Sequence, residues 1–226
     1  STFSAAVLTL AKRTLTPTLT GVISKTYDGL RAAVVSGANF VVGNIYNNQD
    51  VQVTNTGALY DDKNVGTGKT VTVSGLSLTG ADAANYQLAG TTATSTNGTI
   101  TTRNLMVSGI TVDGKTYDGN NTATLDNTSS ALNGYIAGDD VTLDSTGSSA
   151  LFASMNAGTH GVTASGYSIS GGDIGNYSFS QPTGLTGTIS KKMLTATAAN
   201  QTITYGATVP TTTLSYSGFI TGEDDT

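Results

Sequence analysis

Cysteine and tryptophan are absent from the 226-residue sequence, and glutamate occurs once, as Glu223. The absence of cysteine excludes disulfides, cysteine-based metal sites and a thiol nucleophile. The formal net charge of −5 argues against a nucleic-acid partner, because contacts to phosphates need a basic face. No apolar run approaches the roughly 20 residues of a membrane span, so we expect no membrane insertion by this segment.

Threonine, serine, glycine and asparagine are abundant, and this mixture disfavours helices. Short runs such as "TVTVSGLSLTG" place apolar residues at near-alternate positions, and clusters of glycine, asparagine and aspartate interrupt them about every 8 to 12 residues. These patterns predict a mainly antiparallel β protein, either β-grasp-like or an Ig-like sandwich. We expect at most one short helix in each module.

An internal repeat organises the chain. The segment "SKTYDG" at residues 24–29 recurs as "GKTYDG" at residues 114–119, and further blocks match downstream in the same order. One of them, "NVGTGKTVTVSG" from Asn64, matches "NAGTHGVTASG" from Asn156. Ordered self-similarity of this kind indicates a tandem array of similar domains.

A third copy begins near the end of the chain, where Tyr205 and Gly206 occupy the place of the earlier Tyr-Asp-Gly and "GFITGEDD" from Gly218 echoes "GYIAGDD" from Gly134. A module of about 90 residues measures roughly 30 Å across, and we expect the modules to form an elongated rod. The repeat predicts four segments, namely the tail of a preceding module (1–12), two complete modules (13–102 and 103–191) and a truncated module (192–226).

The recurring tyrosines are predicted to pack. Tyr27 and Tyr117 occupy equivalent places, as do Tyr86 and Tyr177, and repetition favours a ring in the core whose hydroxyl reaches a backbone group over a ring that stacks on a sugar. Aspartate followed by glycine favours a turn. The predicted turn residues are Asp28, Gly29, Asp118 and Gly119.

The segment "GTGKT" at residues 66–70 resembles part of a phosphate-binding loop. The Walker pattern requires a glycine where Lys63 stands, and the second copy, "GTHGV", has no lysine. We therefore predict a glycine-rich turn between strands in both copies. His160, the only histidine, is predicted to be an exposed residue of that turn.

Neither the acidic nor the basic residues form a recognisable catalytic or metal-binding motif. Oxygen-rich turns such as Asp139 and Asp140 are chemically suited to calcium, but no calcium-loop motif supports it, and we expect no catalytic residue, cofactor, metal site or enzymatic activity. Half of the basic residues lie at module boundaries, either as solvated charges that guard strand edges or as partners of a neighbour's acidic turn. These residues are Lys12, Arg13, Arg103, Lys191 and Lys192.

The segments "KTYDG", "DDKNVGTGKTVTVSGLSLTGADAANYQL" and "GDDVTLDSTG" resemble the YDG repeats of large secreted bacterial adhesins of the filamentous-haemagglutinin type. The final segment, "NQTITYGATVPTTTLSYSGFITGEDDT", resembles the opening of the related YG-type, mostly β-grasp repeat. The resemblance implies an extracellular stalk at the bacterial cell surface, exported by two-partner secretion and serving attachment or biofilm cohesion.

Two functions fit this resemblance. In the first, the repeats are a structural spacer that projects a binding tip, and their partners are neighbouring modules of the same chain. In the second, the repeats themselves bind exopolysaccharide or host glycans through many weak sites with high combined avidity.

Overall fold

The structure, a computed structural model, describes residues 8–224. Residues 1–7, which belong to the predicted tail 1–12, lie outside the described residues. The described chain divides into two compact units. The first contains the residues up to Asn104 together with Gly134–Asp140 and Gly171–Ser178, and the second contains Leu105–Asn133, Val141–Ser170 and the residues from Phe179 onward.

The first unit is built from short strands joined by turns and by single 3-10 turns. Its strands are β1 (Arg13–Leu15), β2 (Pro17–Leu19), β3 (Ile23–Thr26), β4 (Phe40–Val42), β5 (Gln52–Thr54), β6 (Gly57–Tyr60), β7 (Gly66–Ser74), β8 (Ser77–Thr79), β9 (Tyr86–Leu88) and β10 (Thr92–Thr101). The 3-10 turns lie at Gly37–Asn39, Tyr46–Asn48, Ala83–Asn85 and Ile174–Asn176.

A four-stranded sheet in the order β3-β10-β7-β6 forms the centre of the first unit. Strand β7 lies between β10 and β6 and is antiparallel to both. Its alternate residues Val71 and Val73 are fully buried, as the period of two in the sequence requires. The other strands of this unit form three separate pairs, β1 with β9, β2 with β4 and β5 with β8.

The second unit repeats this plan. Strands β11 (Arg103–Ser108) and β21 (Tyr177–Ser180) begin in the first unit and end in the second. The other strands are β12 (Thr111–Val112), β13 (Lys115–Thr116), β14 (Thr122–Ala123), β15 (Leu125–Asp126), β16 (Ala131–Asn133), β17 (Thr142–Asp144), β18 (Ser149–Phe152), β19 (Gly158–Ser165), β20 (Ser168–Ser170), β22 (Leu185–Ser190), β23 (Thr195–Ala198) and β24 (Leu214–Ser217).

A five-stranded sheet in the order β13-β22-β19-β18-β14 forms the centre of the second unit. The buried cluster against it includes Phe152, Val162, Tyr167 and Ile189. Strand β19 occupies the place that β7 has in the first unit, between the strand that ends the repeat and the strand that precedes it in the chain. The matching sequence blocks therefore form matching strands.

The prediction of a mainly β fold built from tandem repeats is confirmed, with two differences. The pairs β1–β9, β3–β10 and β13–β22 are parallel. Parallel partners lie far apart in the sequence because a crossover must join them, so short-range alternation does not reveal them. The limit of one short helix per module is wrong, since the first repeat alone contains several 3-10 turns. The module boundaries and the rod stay predictions.

The "GTGKT" segment is part of a strand, so the predicted turn is wrong. It opens β7, where Lys69 lies opposite Gly98 and Thr67 lies opposite Thr99. Gly68 lies between them as a bulge with φ of +68°, a left-handed conformation that favours glycine. The glycines permit a bulge inside the sheet, and they do not end the strand.

Lys69 is buried at the same bulge. Its Nζ atom lies 2.7 Å from Oδ1 of Asp62 and 3.3 Å from Oδ1 of Asp61. In the second unit His160 lies within β19 and its Nε2 atom is 2.7 Å from the carbonyl oxygen of Asn156. The prediction of an exposed turn histidine is therefore wrong, because this block belongs to a central strand in both repeats.

Candidate functional site at the junction of the repeats

A buried aspartate of the second repeat packs in the first unit. Asp139 lies in the segment Gly134–Asp140, and its side chain is only 4% exposed. Its Oδ2 atom accepts hydrogen bonds from the hydroxyls of Tyr27 at 2.8 Å and Tyr177 at 2.6 Å. Its Oδ1 atom accepts one from Nζ of Lys63 at 3.2 Å. Two neutral donors and one cation thus satisfy a carboxylate that would be costly to bury alone.

Hydrogen bonds within and beside the Tyr-Asp-Gly loop, residues 27–29, hold Tyr27 in position. The backbone N–H of Tyr27 donates to the carbonyl of Thr101 at 2.9 Å, which extends the pairing of β3 with β10 by one residue. Oδ1 of Asp28 accepts from the N–H of Leu30 at 2.9 Å and from Nζ of Lys25 at 2.6 Å. These bonds fold the turn directly after the buried ring.

The second Tyr-Asp-Gly loop, residues 117–119, folds in the same way. The N–H of Tyr117 donates to the carbonyl of Ser190 at 2.8 Å. Oδ1 of Asp118 accepts from the N–H of Asn120 at 3.2 Å and from Nζ of Lys115 at 2.8 Å. The lysine two residues before each tyrosine therefore holds the aspartate of its own loop.

The glycine of each loop allows a close approach by an isoleucine. A Cβ atom added at Gly29, where φ is +76°, would lie 3.0 Å from Cγ2 of Ile136. A Cβ atom added at Gly119, where φ is +77°, would lie 3.1 Å from Cγ2 of Ile220. Both isoleucines follow a glycine by two positions, in the echoed blocks "GYIAGDD" and "GFITGEDD".

The tyrosine pair around Asp139 is ordered by further contacts. The rings of Tyr27 and Tyr177 meet edge to face, with centroids 5.4 Å apart and an interplanar angle of 79°. The hydroxyl oxygen of Tyr177 accepts from the N–H of Ile136 at 2.9 Å. The hydroxyl of Tyr177 therefore accepts one hydrogen bond from the backbone and donates its own to the carboxylate of Asp139.

Asn176 adds an amide contact to the same junction. Its side-chain oxygen accepts from the N–H of Val65 at 2.9 Å, and Nδ2 lies 3.3 Å from Oδ1 of Asn64. Asn176 is 5% exposed. Asn64 and Val65 belong to the first repeat and Asn176 to the second, so this contact also joins the two repeats within the first unit.

Asp140, the neighbour of Asp139, does not bond to the tyrosines but links its turn to the turn at Gly172 and Asp173. Its N–H donates to Oδ2 of Asp173 at 2.8 Å, and its own Oδ2 accepts from the N–H of Gly172 at 2.8 Å. The same reciprocal arrangement links Asp50 and Asp82 in the first repeat, with both corresponding distances 3.0 Å. These carboxylates hold two turns together by accepting backbone hydrogen bonds.

The electrostatics favour an ionised carboxylate beside neutral tyrosines. Burial would raise the pKa of Asp139, but the hydrogen bonds from Tyr177, Tyr27 and Lys63 together hold it below its ordinary value. Burial and the bond to Asp139 raise the pKa of Tyr177 to about 12. The same two causes raise the pKa of Tyr27. At neutral pH the Asp139 carboxylate is therefore ionised, and it accepts hydrogen bonds from tyrosine hydroxyls that keep their protons.

An equivalent contact recurs in the second unit. The hydroxyl of Tyr117 donates a hydrogen bond to Oε1 of Glu223. This bond, and to a lesser extent burial, raises the pKa of Tyr117. Glu223 occupies the place in "GFITGEDD" that Asp139 occupies in "GYIAGDD". A Tyr-Asp-Gly loop thus bonds to an acid of the following repeat at two places in the chain.

The model of the YDG domain family matches the chain twice, at residues 11–95 and 101–184, which together make up more than half of its length. The chain belongs to the YDG domain family. Comparisons with curated proteins and with solved structures found no match. Each matched segment contains one Tyr-Asp-Gly loop, at residues 27–29 and 117–119.

The remaining tyrosines predicted from the sequence lie in contrasting places. Tyr86, in the first YDG domain, is buried, and its hydroxyl accepts from the N–H of Tyr46 at 3.0 Å and lies 2.5 Å from Oε1 of Gln49. Tyr205 is fully exposed, and Gly206 has a φ of +85° with open space around its Cβ position. The Tyr205 side chain therefore does not reproduce the buried site of Tyr27.

Sequence reasoning missed the partners of the tyrosines. Lys63, Ile136 and Asn176 were not predicted as site residues, and Asp139 was considered only as part of an acidic turn that could bind calcium or pair with basic residues at the module boundaries. Its basic partner is Lys63, within the first YDG domain, whereas Arg103 donates from Nε to the carbonyl of Gly134 at 2.5 Å. The available signal was the acid that recurs after Ile-x-Gly in "GYIAGDD" and "GFITGEDD".

The described residues contain no cluster of three or more histidine, cysteine, aspartate or glutamate side chains placed to hold a metal ion. Within residues 8–224, none of the helical segments is both long enough and apolar enough to cross a membrane. The chemistry that the YDG domains do present is hydrogen bonding between a tyrosine hydroxyl and an acid of the next repeat.

Proposed function

We propose that this chain is a non-enzymatic stalk segment of a secreted adhesin at the bacterial cell surface, in which YDG domains project a binding tip for attachment or biofilm cohesion. Its immediate partners are neighbouring modules of the same chain. Two-partner secretion as the export route, and the extracellular location, rest on the resemblance of the repeats to those of filamentous-haemagglutinin-type adhesins.

The burial of Asp139 of the second repeat against Tyr27 of the first carries this proposal. A stalk needs contacts that join one repeat to the next, so that length is added by repeating both the domain and its joint. The pair Tyr117 and Glu223 provides a second example of the same joint. A joint that recurs with the repeat supports a structural role for the array.

A second candidate, glycan binding by the repeats, is favoured by exposed tyrosine rings. Tyr46 is 58% exposed and Tyr135 is 49% exposed, and such rings have apolar faces suited to stacking on sugars. Neither of these two hydroxyls takes part in the bonds to Asp139 and Glu223 that join the repeats. Glycan binding would use the faces of these exposed rings, whereas the two observed joints use the hydroxyls of Tyr27 and Tyr117.

A glycan array probed with the 226-residue chain separates the two functions. The stalk proposal expects no reproducible signal above that of a chain carrying Tyr46→Ala and Tyr135→Ala. Reproducible binding to one glycan class that disappears in that variant would contradict a pure stalk and support the second candidate. Tyr205→Ala, also at a fully exposed ring, is the matched control for loss of tyrosine area.

A further inference from the structure

The first YDG domain carries a surface equivalent to the one that receives Tyr27 in the second. We call it the acceptor face and define it by Tyr46, Gln49, Asn85 and Tyr86. Tyr86 bonds to the N–H of Tyr46 and to Oε1 of Gln49, as Tyr177 bonds to the N–H of Ile136 and to Asp139. The hydrogen-bond pattern aligns the two surfaces residue by residue.

The two surfaces differ in what covers them. Asn176 is buried by its contacts with the first repeat, whereas Asn85, at the equivalent place directly before the buried tyrosine, is exposed. Tyr46 occupies the place of Ile136, the residue in contact with Gly29, and is 58% exposed. The acceptor face therefore offers to solvent the positions that a Tyr-Asp-Gly loop covers in the second repeat.

Gln49 retains the capacity to accept the missing bond. At the occupied junction a single oxygen of Asp139 accepts from two tyrosines, Tyr27 and Tyr177. An amide oxygen also has two acceptor positions, and Oε1 of Gln49 uses one of them for Tyr86. The second position suits the hydroxyl of an incoming tyrosine.

We propose that the acceptor face binds the Tyr-Asp-Gly loop of another YDG domain. The tyrosine of the incoming loop donates to Oε1 of Gln49, and the glycine of that loop packs against Tyr46. The two residues directly before the long central strand of the incoming domain contact Asn85, as Asn64 and Val65 contact Asn176. This inference rests on the proposed function, because it extends the joint of the stalk to a further repeat.

Gln49 carries no charge, so it favours an incoming domain that has no lysine at the position of Lys63. Asp139 is paired with Lys63, which directly precedes Asn64. In the second YDG domain the residue before the matching asparagine is Met155. A domain of that second type brings no cation toward the acceptor face, so its tyrosine can meet the uncharged amide of Gln49 without leaving a lysine unpaired.

The test uses the full chain and an extended chain in which a copy of residues 103–191 is inserted between residues 12 and 13. This insertion preserves the natural order of a basic boundary followed by an apolar strand, and it leaves the peptides of the acceptor face unique in the chain. Hydrogen exchange of the segments 44–50 and 83–86 is then measured by mass spectrometry. We expect exchange about fivefold slower in the extended chain, the factor that one net hydrogen bond supplies.

Variants of the inserted copy identify the contact. Tyr117→Phe in that copy is expected to return exchange of both segments to the rate of the unextended chain, whereas Tyr135→Phe in that copy, at an exposed ring, leaves the slowing intact. Equal exchange rates in the extended and unextended chains would overturn the inference.

The unextended chain tests the joint itself. There Tyr27→Phe is expected to accelerate exchange of residues 134–140, where Ile136 and Asp139 lie. If this acceleration is seen while the extension leaves 44–50 unchanged, the acceptor-face inference fails and the stalk joint survives. If Tyr27→Phe leaves 134–140 unchanged, the joint proposed for the stalk fails with it.

Discussion

The hydroxyl of Tyr27 donates a hydrogen bond of 2.8 Å to Oδ2 of Asp139, a residue 112 positions later in the chain. The two residues belong to successive repeats and to one compact unit. This bond links the residue that identifies the repeat to a carboxylate that the next repeat supplies. The Tyr-Asp-Gly loop therefore takes part in the contact between successive repeats.

Tyr27→Phe isolates the hydroxyl from the ring. The buried ring and its edge-to-face contact with Tyr177 are kept, while a hydrogen bond to a charged acceptor is lost. We expect the free energy of unfolding of the first unit to fall by about 1.5 to 3 kcal/mol, measured by urea denaturation. Tyr135→Phe, at an exposed ring, is the control, and an equal effect of both substitutions would contradict the role of the Tyr27 hydroxyl.

Asp139 makes the first unit sensitive to acid. Its pKa in the folded chain lies below the ordinary value of 3.8, so its stabilisation is present above that value and is lost as pH falls through the lower, folded pKa. Between about pH 5 and pH 2 the native chain should lose more stability than the Asp139→Asn variant. Asp113→Asn, at an exposed residue, is the matched control. Parallel stability curves for the native chain and Asp139→Asn would show that the carboxylate does not act in this way.

The tyrosines should make the same unit sensitive to alkali. The pKa of Tyr177 is raised to about 12, above the unfolded value of about 10. Its stabilisation is complete below the unfolded pKa and declines as pH rises toward 12, by up to about 1.4 kcal/mol per pH unit. Spectrophotometric titration should find a tyrosine that ionises late, and Tyr177→Phe should remove it. Ionisation of all ten tyrosines near pH 10 in the folded chain would contradict this prediction.

Gly29 and Gly21 form a matched pair for testing the glycine of the signature. Both have positive φ, +76° and +73°, but only Gly29 has a neighbour, Ile136, within 4 Å of an added Cβ. Alanine at either position incurs the left-handed backbone cost of roughly 1 kcal/mol. Gly29→Ala should therefore destabilise the first unit more than Gly21→Ala, by about 1 kcal/mol, as measured by thermal unfolding.

The Ile136→Ala background supplies the check on this comparison. Truncation of Ile136 opens the space that the new methyl group needs, so the extra cost of Gly29→Ala should disappear there. If the extra cost persists without the isoleucine side chain, the close approach of Gly29 and Ile136 is not its cause.

The repeat and the β class were predictable because they leave local marks in the sequence. The alternation of Val71 and Val73 follows directly from the pleat of a buried strand. The burial of Tyr27 was also predictable from recurrence. The prediction that its hydroxyl reaches a backbone group is wrong, because the acceptor is the carboxylate of Asp139.

The joint could not be derived from the sequence, because it depends on which loops the sheets bring together. The two joints use Asp139 and Glu223 as acceptors, and the equivalent position in the first YDG domain holds Gln49. Different side chains and a one-residue insertion in "GNIYNNQD" obscure their equivalence. The bulge at Gly68 was not predicted for a related reason. A glycine-rich segment favours a turn locally, and only its pairing with β10 identifies it as a strand.

A double-mutant cycle of Tyr27→Phe and Asp139→Asn measures whether the Tyr-Asp-Gly loop joins one repeat to the next through a tyrosine and an acid. The free energy of unfolding of the first unit is measured for the native chain, both single variants and the double variant. If the two side chains act together, their coupling energy is about 1 to 2 kcal/mol, as for contacting residues in one hydrogen-bond network. Additive effects within about 0.3 kcal/mol would contradict it.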